Sequence, residues 1–162
     1  MKRLFLAIVV LSAAAGVAQT APWTLSITGP AKTWKVSAEE WARLPKTTVS
    51  ATNGHDKTTA TYSGVLLREL LREVGAPSGE NLRGTALAAS VRARASDGYE
   101  VVLAPAELDP SFRDEQVLVA DNKDGKPLSA HDGPLMLIVP GDKRPARWVR
   151  MLTSIELRPQ AP

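Results

Sequence analysis

The chain has 162 residues, a formal net charge of +3 at pH 7 and no cysteine. That length suits one domain with one hydrophobic core. The absence of cysteine excludes a disulfide framework, a cysteine zinc site, an iron–sulfur cluster and a thiolate nucleophile. The basic residues form local clusters rather than a broad face, so the composition predicts no nucleic-acid binding.

Residues 1–18 have the pattern of a secretory signal peptide, with Lys2 and Arg3 before an apolar stretch and a cleavage site after Ala18. The apolar stretch is shorter than the roughly 20 residues of a membrane helix, and an uncleaved anchor is the alternative. We therefore expect a periplasmic or secreted protein with a single mature domain over 19–162, free of the membrane after cleavage. Removing the signal leaves eighteen basic and seventeen acidic residues, a charge of about +1.

The first part of the mature chain predicts three strands and a helix. Trp23–Thr28 alternates apolar and polar residues and predicts a strand, and Thr33–Val36 predicts a second. Ser37 and Glu40 form a capping box, which predicts the start of a short helix. The β-branched stretch Lys46–Thr52 predicts the third strand.

The next segment predicts a turn, a strand and a longer helix. Asn53-Gly54 is a strong turn signal, and Lys57–Tyr62 returns as a polar, β-branched strand. Val65–Val74 has the apolar spacing of a helix. Ser63 is the predicted N-cap and Gly75 the predicted stop.

A hairpin follows. Asn81–Ala88 predicts a short helix, and Pro105–Leu108 predicts a single helical turn. Between them, Val91–Ser96 and Tyr99–Leu103 flank Asp97-Gly98, a sequence that favours a type I′ hairpin turn.

The last part of the chain predicts strands at Gln116–Ala120, Leu135–Val139 and Trp148–Leu157, with a turn at Lys123–Pro127. Many strands in hairpins with few helices indicate an α+β fold with a mixed, mostly antiparallel sheet.

The chain has two histidines, and each precedes an aspartate: His55-Asp56 and His131-Asp132. Two such pairs would suit a metal if the fold brought them together. Adjacent side chains diverge, so surface turns are the simpler interpretation and we predict no metal site.

Positive charge gathers after the strand Leu135–Val139. Lys143, Arg144, Arg147 and Arg150 surround Trp148. Arginine side chains and turn N–H groups bind phosphate or sulfate, so the cluster is a candidate anion site. An exposed charged turn beside a core tryptophan is the alternative.

Four ordered blocks resemble the oxidoreductase molybdopterin-binding domain of the sulfite oxidase family. They cover roughly residues 46–157. The blocks are Tyr62–Leu71 (YSGVLLRELL), Asp97-Gly98-Tyr99 with Glu107 after it, Leu118–Leu128 (LVADNKDGKPL), and His131–Gly141 (HDGPLMLIVPG) followed by Trp148–Leu152 (WVRML). The last block is the most specific. The resemblance implies the sulfite-oxidase-type fold and a pterin cofactor bordered by the Pro-Gly loop.

The resemblance also implies a set of cofactor-binding residues. The histidine before the Gly-x-Pro falls at His131 and the basic residue before the last element at Arg150. The full candidate set is Asn53, His55, His131, Lys143, Arg147 and Arg150.

The sequence departs from the family where its members place a cysteine thiolate on molybdenum. The matching loop offers Ala51, Thr52 or Asn53, and none is a soft sulfur ligand. The start MKRLFLAIVV also resembles a Sec signal rather than a twin-arginine signal. A Sec substrate crosses unfolded and does not carry a cofactor held by its fold. The resemblance makes molybdopterin a possible cofactor, whereas these two departures favour no cofactor.

Three hypotheses follow. The first is an exported binding module for an anionic small molecule or a partner protein, without molybdenum redox activity. The second is a molybdopterin-dependent oxidoreductase with a nonstandard metal ligand. The third is a structural accessory protein with an empty groove.

Overall fold

The computed structural model describes residues 22–160 of the chain. The predicted signal peptide, residues 1–18, lies outside the described residues. Neither described helix has the length and apolar character that crossing a bilayer requires.

The described chain contains ten strands and two α-helices. The strands are β1 (Thr24–Thr28), β2 (Thr33–Ser37), β3 (Thr47–Thr52), β4 (Thr59–Leu66), β5 (Ser90–Ala95), β6 (Glu100–Leu103), β7 (Leu118–Lys123), β8 (Lys126–Pro127), β9 (Met136–Ile138) and β10 (Leu152–Arg158). The helices are α1 (Ala38–Arg43) and α2 (Leu67–Glu73). Short 3₁₀ turns cover Gly79–Asn81, Gly84–Ala88, Pro105–Glu107 and Pro145–Arg147.

The strands form two sheets. One has the order β2-β1-β10-β5-β6, and the other has the order β3-β4-β7-β8 with β9 also paired to β7. The β1–β10 pair is parallel and the other pairs are antiparallel. The predicted α+β class with a mixed, mostly antiparallel sheet is confirmed.

One cluster of buried side chains draws on both sheets and on both helices. The capping box at Ser37 is present, because its hydroxyl accepts from the Glu40 N–H and the Glu40 carboxylate accepts from the Ser37 N–H. Helix α1 buries Trp41, whose indole Nε1 donates to Asp121 on β7 at 2.9 Å. This bond fixes α1 to the second sheet.

The predicted helix Val65–Val74 begins later than expected. Strand β4 continues through Leu66, and Ser63 lies inside it rather than at an N-cap. The N-cap is Leu66, which makes no side-chain cap hydrogen bond. An apolar run fits a buried strand and a helix equally well, and pairing with β7 decides this one. The predicted stop at Gly75 is confirmed by its φ of 85°.

Two other elements differ from the prediction. The region Asn81–Ala88 forms 3₁₀ turns instead of a helix. The terminal strand begins at Leu152, not at Trp148. The segment before it instead bonds to β9, where Leu137 and Val149 exchange N–H···O bonds of 2.8 and 3.1 Å.

The hairpin at Asp97-Gly98 exists, but its turn is not type I′. That turn needs positive φ at both central residues, and among these only Gly98, at 89°, has it. The Gly98 N–H donates to the Ala95 carbonyl at 3.2 Å, and the Ala95 N–H donates to the Tyr99 carbonyl at 2.8 Å. This is the three-residue loop in which a left-handed residue follows the turn.

We expect Gly98→Val to destabilise the protein by about 1–2 kcal/mol, the cost of a left-handed conformation in a residue with a Cβ. No atom lies within 4 Å of the position that the new Cβ would take, so strain alone is measured. Ser96→Val is the matched control, because Ser96 is exposed in the same loop without positive φ. Equal urea midpoints for the two variants would contradict the turn assignment.

Candidate functional site

A polar groove of about 490 Å³ lies where loops from both sheets meet. Its lining comprises Asn53, His55, Tyr62, Ala95, Asp97, Tyr99, Lys123, His131, Asp132, Met136, Pro145, Ala146, Trp148, Arg150 and Met151. A second hollow of similar volume is lined by prolines, alanines and other residues without an ionisable side chain. The polar groove is therefore the candidate functional site.

Backbone hydrogen bonds join the segments that form the groove. Met151, just before β10, accepts from the Ser96 N–H at 3.0 Å through its carbonyl. Its own N–H donates to the Asp132 carbonyl at 2.9 Å. The β5–β6 hairpin and the loop before β9 are thereby held to the same residue, Met151. Residues far apart in the sequence meet in the groove for this reason.

Four of the six predicted binding residues line the groove: Asn53, His55, His131 and Arg150. Lys143 does not line it, and its side chain is exposed. The backbone of Lys143 instead packs on the β3–β4 loop, because a Cβ built on Gly54 would lie 1.8 Å from the Lys143 carbonyl oxygen. Only a glycine at position 54 allows this approach.

Arg147 also lies outside the groove lining, and it forms ion pairs with two carboxylates. Its Nε and Nη2 donate to the two oxygens of Asp142 at 2.8 and 2.6 Å, and its Nη1 donates to Glu107 at 2.9 Å. The hydrogen bonds that Arg147 donates to Asp142 raise the pKa of Arg147 above its ordinary value. Burial opposes this rise, and the hydrogen bond to Glu107 adds to it. Arg147 thus holds the loop that carries Pro145, Ala146 and Trp148.

Arg150 contacts His131 directly, through Nη1 and the imidazole Nε2. An arginine only donates hydrogen bonds, so Nε2 is the acceptor. The two residues with the clearest family match form one unit at the groove.

Three aromatic side chains contribute to the groove, and none was among the predicted site residues. Tyr62 packs edge-to-face on Trp148 with ring centroids 5.7 Å apart, and the Tyr99 hydroxyl donates to the Ala146 carbonyl. Burial raises the pKa of Tyr62, although nearby Lys123 opposes the rise. The family block that begins at Tyr62 was the signal that pointed here.

Lys123 is a groove cation that sequence reasoning missed. It ends β7 and lies 5.8 Å from the centre of the Tyr62 ring. The sequence placed it in a turn, where a lysine is usually solvated. The pairing of Lys123 with Tyr62 across β4 and β7 brings it to the groove.

The groove does not fit molybdenum bound by a protein thiolate. The chain has no cysteine. Of the three positions that match the family's ligand loop, Ala51 is buried, Thr52 is exposed and Asn53 lines the groove. The sulfur atoms at the groove are neutral thioethers of Met136 and Met151. No group of three or more His, Cys, Asp or Glu residues suited to a metal occurs within residues 22–160.

Two sheets with a polar groove at their loops define an α+β domain, and its fold matches the sulfite-oxidase type in the structural comparison that follows. The chain belongs to the oxidoreductase molybdopterin binding domain family, whose model matches residues 13–162. The crystal structure of the sulfane dehydrogenase SoxCD from Paracoccus pantotrophus is similar, with 20% identity and a TM-score of 0.64. The match covers 84% of this chain but 38% of that chain, and at this identity it shows the fold alone. No curated protein matches the chain.

Proposed function

We propose that this protein is an exported binding module whose groove holds an anionic small molecule, or an anionic group of a partner protein, without molybdenum redox chemistry. The observation that carries the proposal is that two cations of the groove have no carboxylate partner among the described residues. Lys123 and Arg150 line the groove, and neither is in an ion pair with any carboxylate that the structure describes.

The two carboxylates of the groove have partners in their own turns. Asp97 accepts from the Tyr99 N–H at 2.8 Å, and Asp132 accepts from the Ser129 hydroxyl at 3.0 Å. The donors of Lys123 and the remaining donors of Arg150 are therefore available to a ligand. Arginine binds planar oxyanions with two parallel hydrogen bonds, which suits a phosphate, sulfate or carboxylate.

A molybdopterin-dependent oxidoreductase with a nonstandard ligand is the second candidate, and the family match favours it. A bound pterin cofactor would supply oxygen-atom and electron transfer, and His131, Lys123 and Arg150 are the residues available to its anionic groups. Elemental analysis of protein purified from its native compartment separates the candidates. We expect the molybdenum content to be well below one atom per chain. One molybdenum per chain would overturn the binding-module proposal.

The anion site is tested by thermal melts in sulfate or pyrophosphate against chloride at matched ionic strength. Binding to the folded state raises stability by RT ln(1 + [L]/Kd), so these anions should raise the melting temperature of the wild type. Arg150→Glu removes a donor and adds a repelling charge, and should abolish that rise.

Arg83→Glu is the matched control, because Arg83 is exposed and lies outside the groove lining. It makes the same change in net charge and should keep the full response to sulfate. Equal responses of the wild type and both variants would contradict an anion site at the groove.

A further inference from the structure

Strand β3 is a free edge of the second sheet. It pairs with β4 on one side, and no strand among the described residues lies on the other. Its six residues read TTVSAT, with no charge and no proline. A long uncharged edge strand presents unpaired N–H and C=O groups and is a template for pairing with another chain.

The other sheet edges in the described part of the chain are protected. Edge strand β2 carries Lys35, and β6 has four residues beginning with Glu100. Strand β8 has two residues, Lys126 and Pro127. Strand β9 is covered on its outer side by the bonds to Val149. Short length, charge and proline are the usual protections of an edge, and β3 has none of them.

The direction of the free backbone groups follows from the loop after β3. The Asn53 N–H donates to the Thr58 carbonyl at 2.8 Å, and the Asn53 carbonyl accepts from the Lys57 N–H, so both groups face β4. Successive residues of a strand direct these groups to opposite sides. The groups of Thr48, Ser50 and Thr52 therefore face outward.

We propose that β3 pairs with β3 of a second copy of this chain, antiparallel, about a two-fold axis at Ser50. Outward-facing residues must oppose each other in such a ladder, which places Thr48 opposite Thr52 of the copy and Ser50 opposite itself. Three such pairs provide about six main-chain hydrogen bonds. The result is one continuous sheet through two molecules.

A second copy fits this edge better than a partner of opposite charge, because β3 offers no charge to complement. In the proposed register Val49 lies opposite Ala51, and Lys46 lies opposite Gly54. No like charges face each other, and threonine pairs across strands are favourable. The two-fold axis makes the contact self-complementary, as closed dimers require. This inference is independent of the ligand of the groove.

The absence of cysteine gives a direct test. Two Ser50 residues opposed in a hydrogen-bonded pair have Cα atoms about 5.5 Å apart, within the range of a disulfide. Under mild oxidation Ser50→Cys should form a covalent dimer faster than Thr33→Cys, by a factor of ten or more. Thr33 is the matched control, because it is exposed on edge strand β2.

Sedimentation equilibrium over a concentration series completes the test. The wild type should be a reversible dimer, and Ser50→Lys, which opposes two cations at the axis, should raise its dissociation constant at least tenfold. Thr33→Lys should leave it unchanged, and both variants should melt cooperatively because the substituted side chains are exposed. A monomeric wild type, or equal crosslinking at positions 50 and 33, would overturn the proposal.

Discussion

Gly64→Ala should destabilise the protein by about 3 kcal/mol or more, the upper range for overpacking a well-filled site. A Cβ at position 64 would lie 2.0 Å from the Val119 carbonyl oxygen and 2.6 Å from the Ala120 Cα. Both are backbone atoms of β7, so no side chain can move aside. The β4–β7 ladder has to separate instead.

The same glycine lies at a β-bulge, and this bulge sets the direction of the Asp121 side chain on β7. Ser63 pairs with Asn122 and Gly64 with Ala120, so Asp121 is the extra residue on β7. Bulges redirect side chains, and Asp121 accepts hydrogen bonds from Trp41 at 2.9 Å and Lys46 at 3.0 Å. Desolvation lowers the pKa of Lys46, and the Asp121 carboxylate opposes that change.

Urea unfolding checks the Gly64→Ala prediction, with Ser63→Ala as the matched control on the neighbouring residue of β4. Ser63 is half-buried and has no comparable contact constraint, so the control should lose less than about 1 kcal/mol. A Gly64→Ala midpoint equal to that of the control would mean that β4 and β7 approach less closely than the structure indicates.

Arg147→Met should cost about 2–3 kcal/mol, because it removes charged hydrogen bonds to Asp142 and Glu107. Methionine keeps the apolar part of the side chain. The arginine side chain is 31% exposed, so the loss should be smaller than for a fully buried ion pair. The loop beside the groove loses its anchor, so the response to sulfate should weaken as well.

The stability lost in Arg147→Met should depend on pH, and the direction follows from the pKa of Glu107. Burial acts to raise the pKa of Glu107, but the Ala104 N–H and Arg147 outweigh it and hold the pKa below its ordinary value. A carboxyl with a lowered folded-state pKa stabilises the protein above its unfolded-state pKa and loses that contribution as pH falls through the folded-state value. The difference between wild type and Arg147→Met should therefore shrink below about pH 4.

Arg113→Met is the matched control for this prediction. Arg113 lies 4.0 Å from Glu107 and 3.2 Å from Glu115, and its side chain is 48% exposed. Exposed ion pairs contribute about 0–1 kcal/mol, so this variant should remain close to the wild type at every pH. A difference between wild type and Arg147→Met that does not vary with pH would contradict the role of Glu107.

The sequence predicted local elements well where one short-range signal dominates. The capping box at Ser37 and the stop at Gly75 are confirmed, because each depends on residues within one helical turn. The start of α2 was wrong, since the apolar residues near Val65 satisfy either a strand or a helix. Pairing with β7, about 50 residues later, decides between them.

The site residues also divide into those that the sequence identified and those that depend on distant neighbours. Family resemblance pointed to His131 and Arg150, which line the groove in contact with each other. Charge alone also suggested Arg147, but its partners Asp142 and Glu107 cannot be assigned from spacing, and one of them is 40 residues away. Lys123 was missed because its local sequence predicts an exposed turn. Nothing in that local sequence shows that the residue lies at the groove.

By itself, the sequence determined the family, the α+β class and the lack of a thiolate ligand, since each depends on residue identity and order alone. The tertiary structure decided which cations line the groove and which are neutralised by carboxylates. It also decided that β3, unremarkable as a sequence, is an edge strand of its sheet among residues 22–160. Charge neutralisation and strand pairing are properties of spatial neighbours. Two of those neighbours, Glu107 for Arg147 and β4 for β7, lie dozens of residues away along the chain.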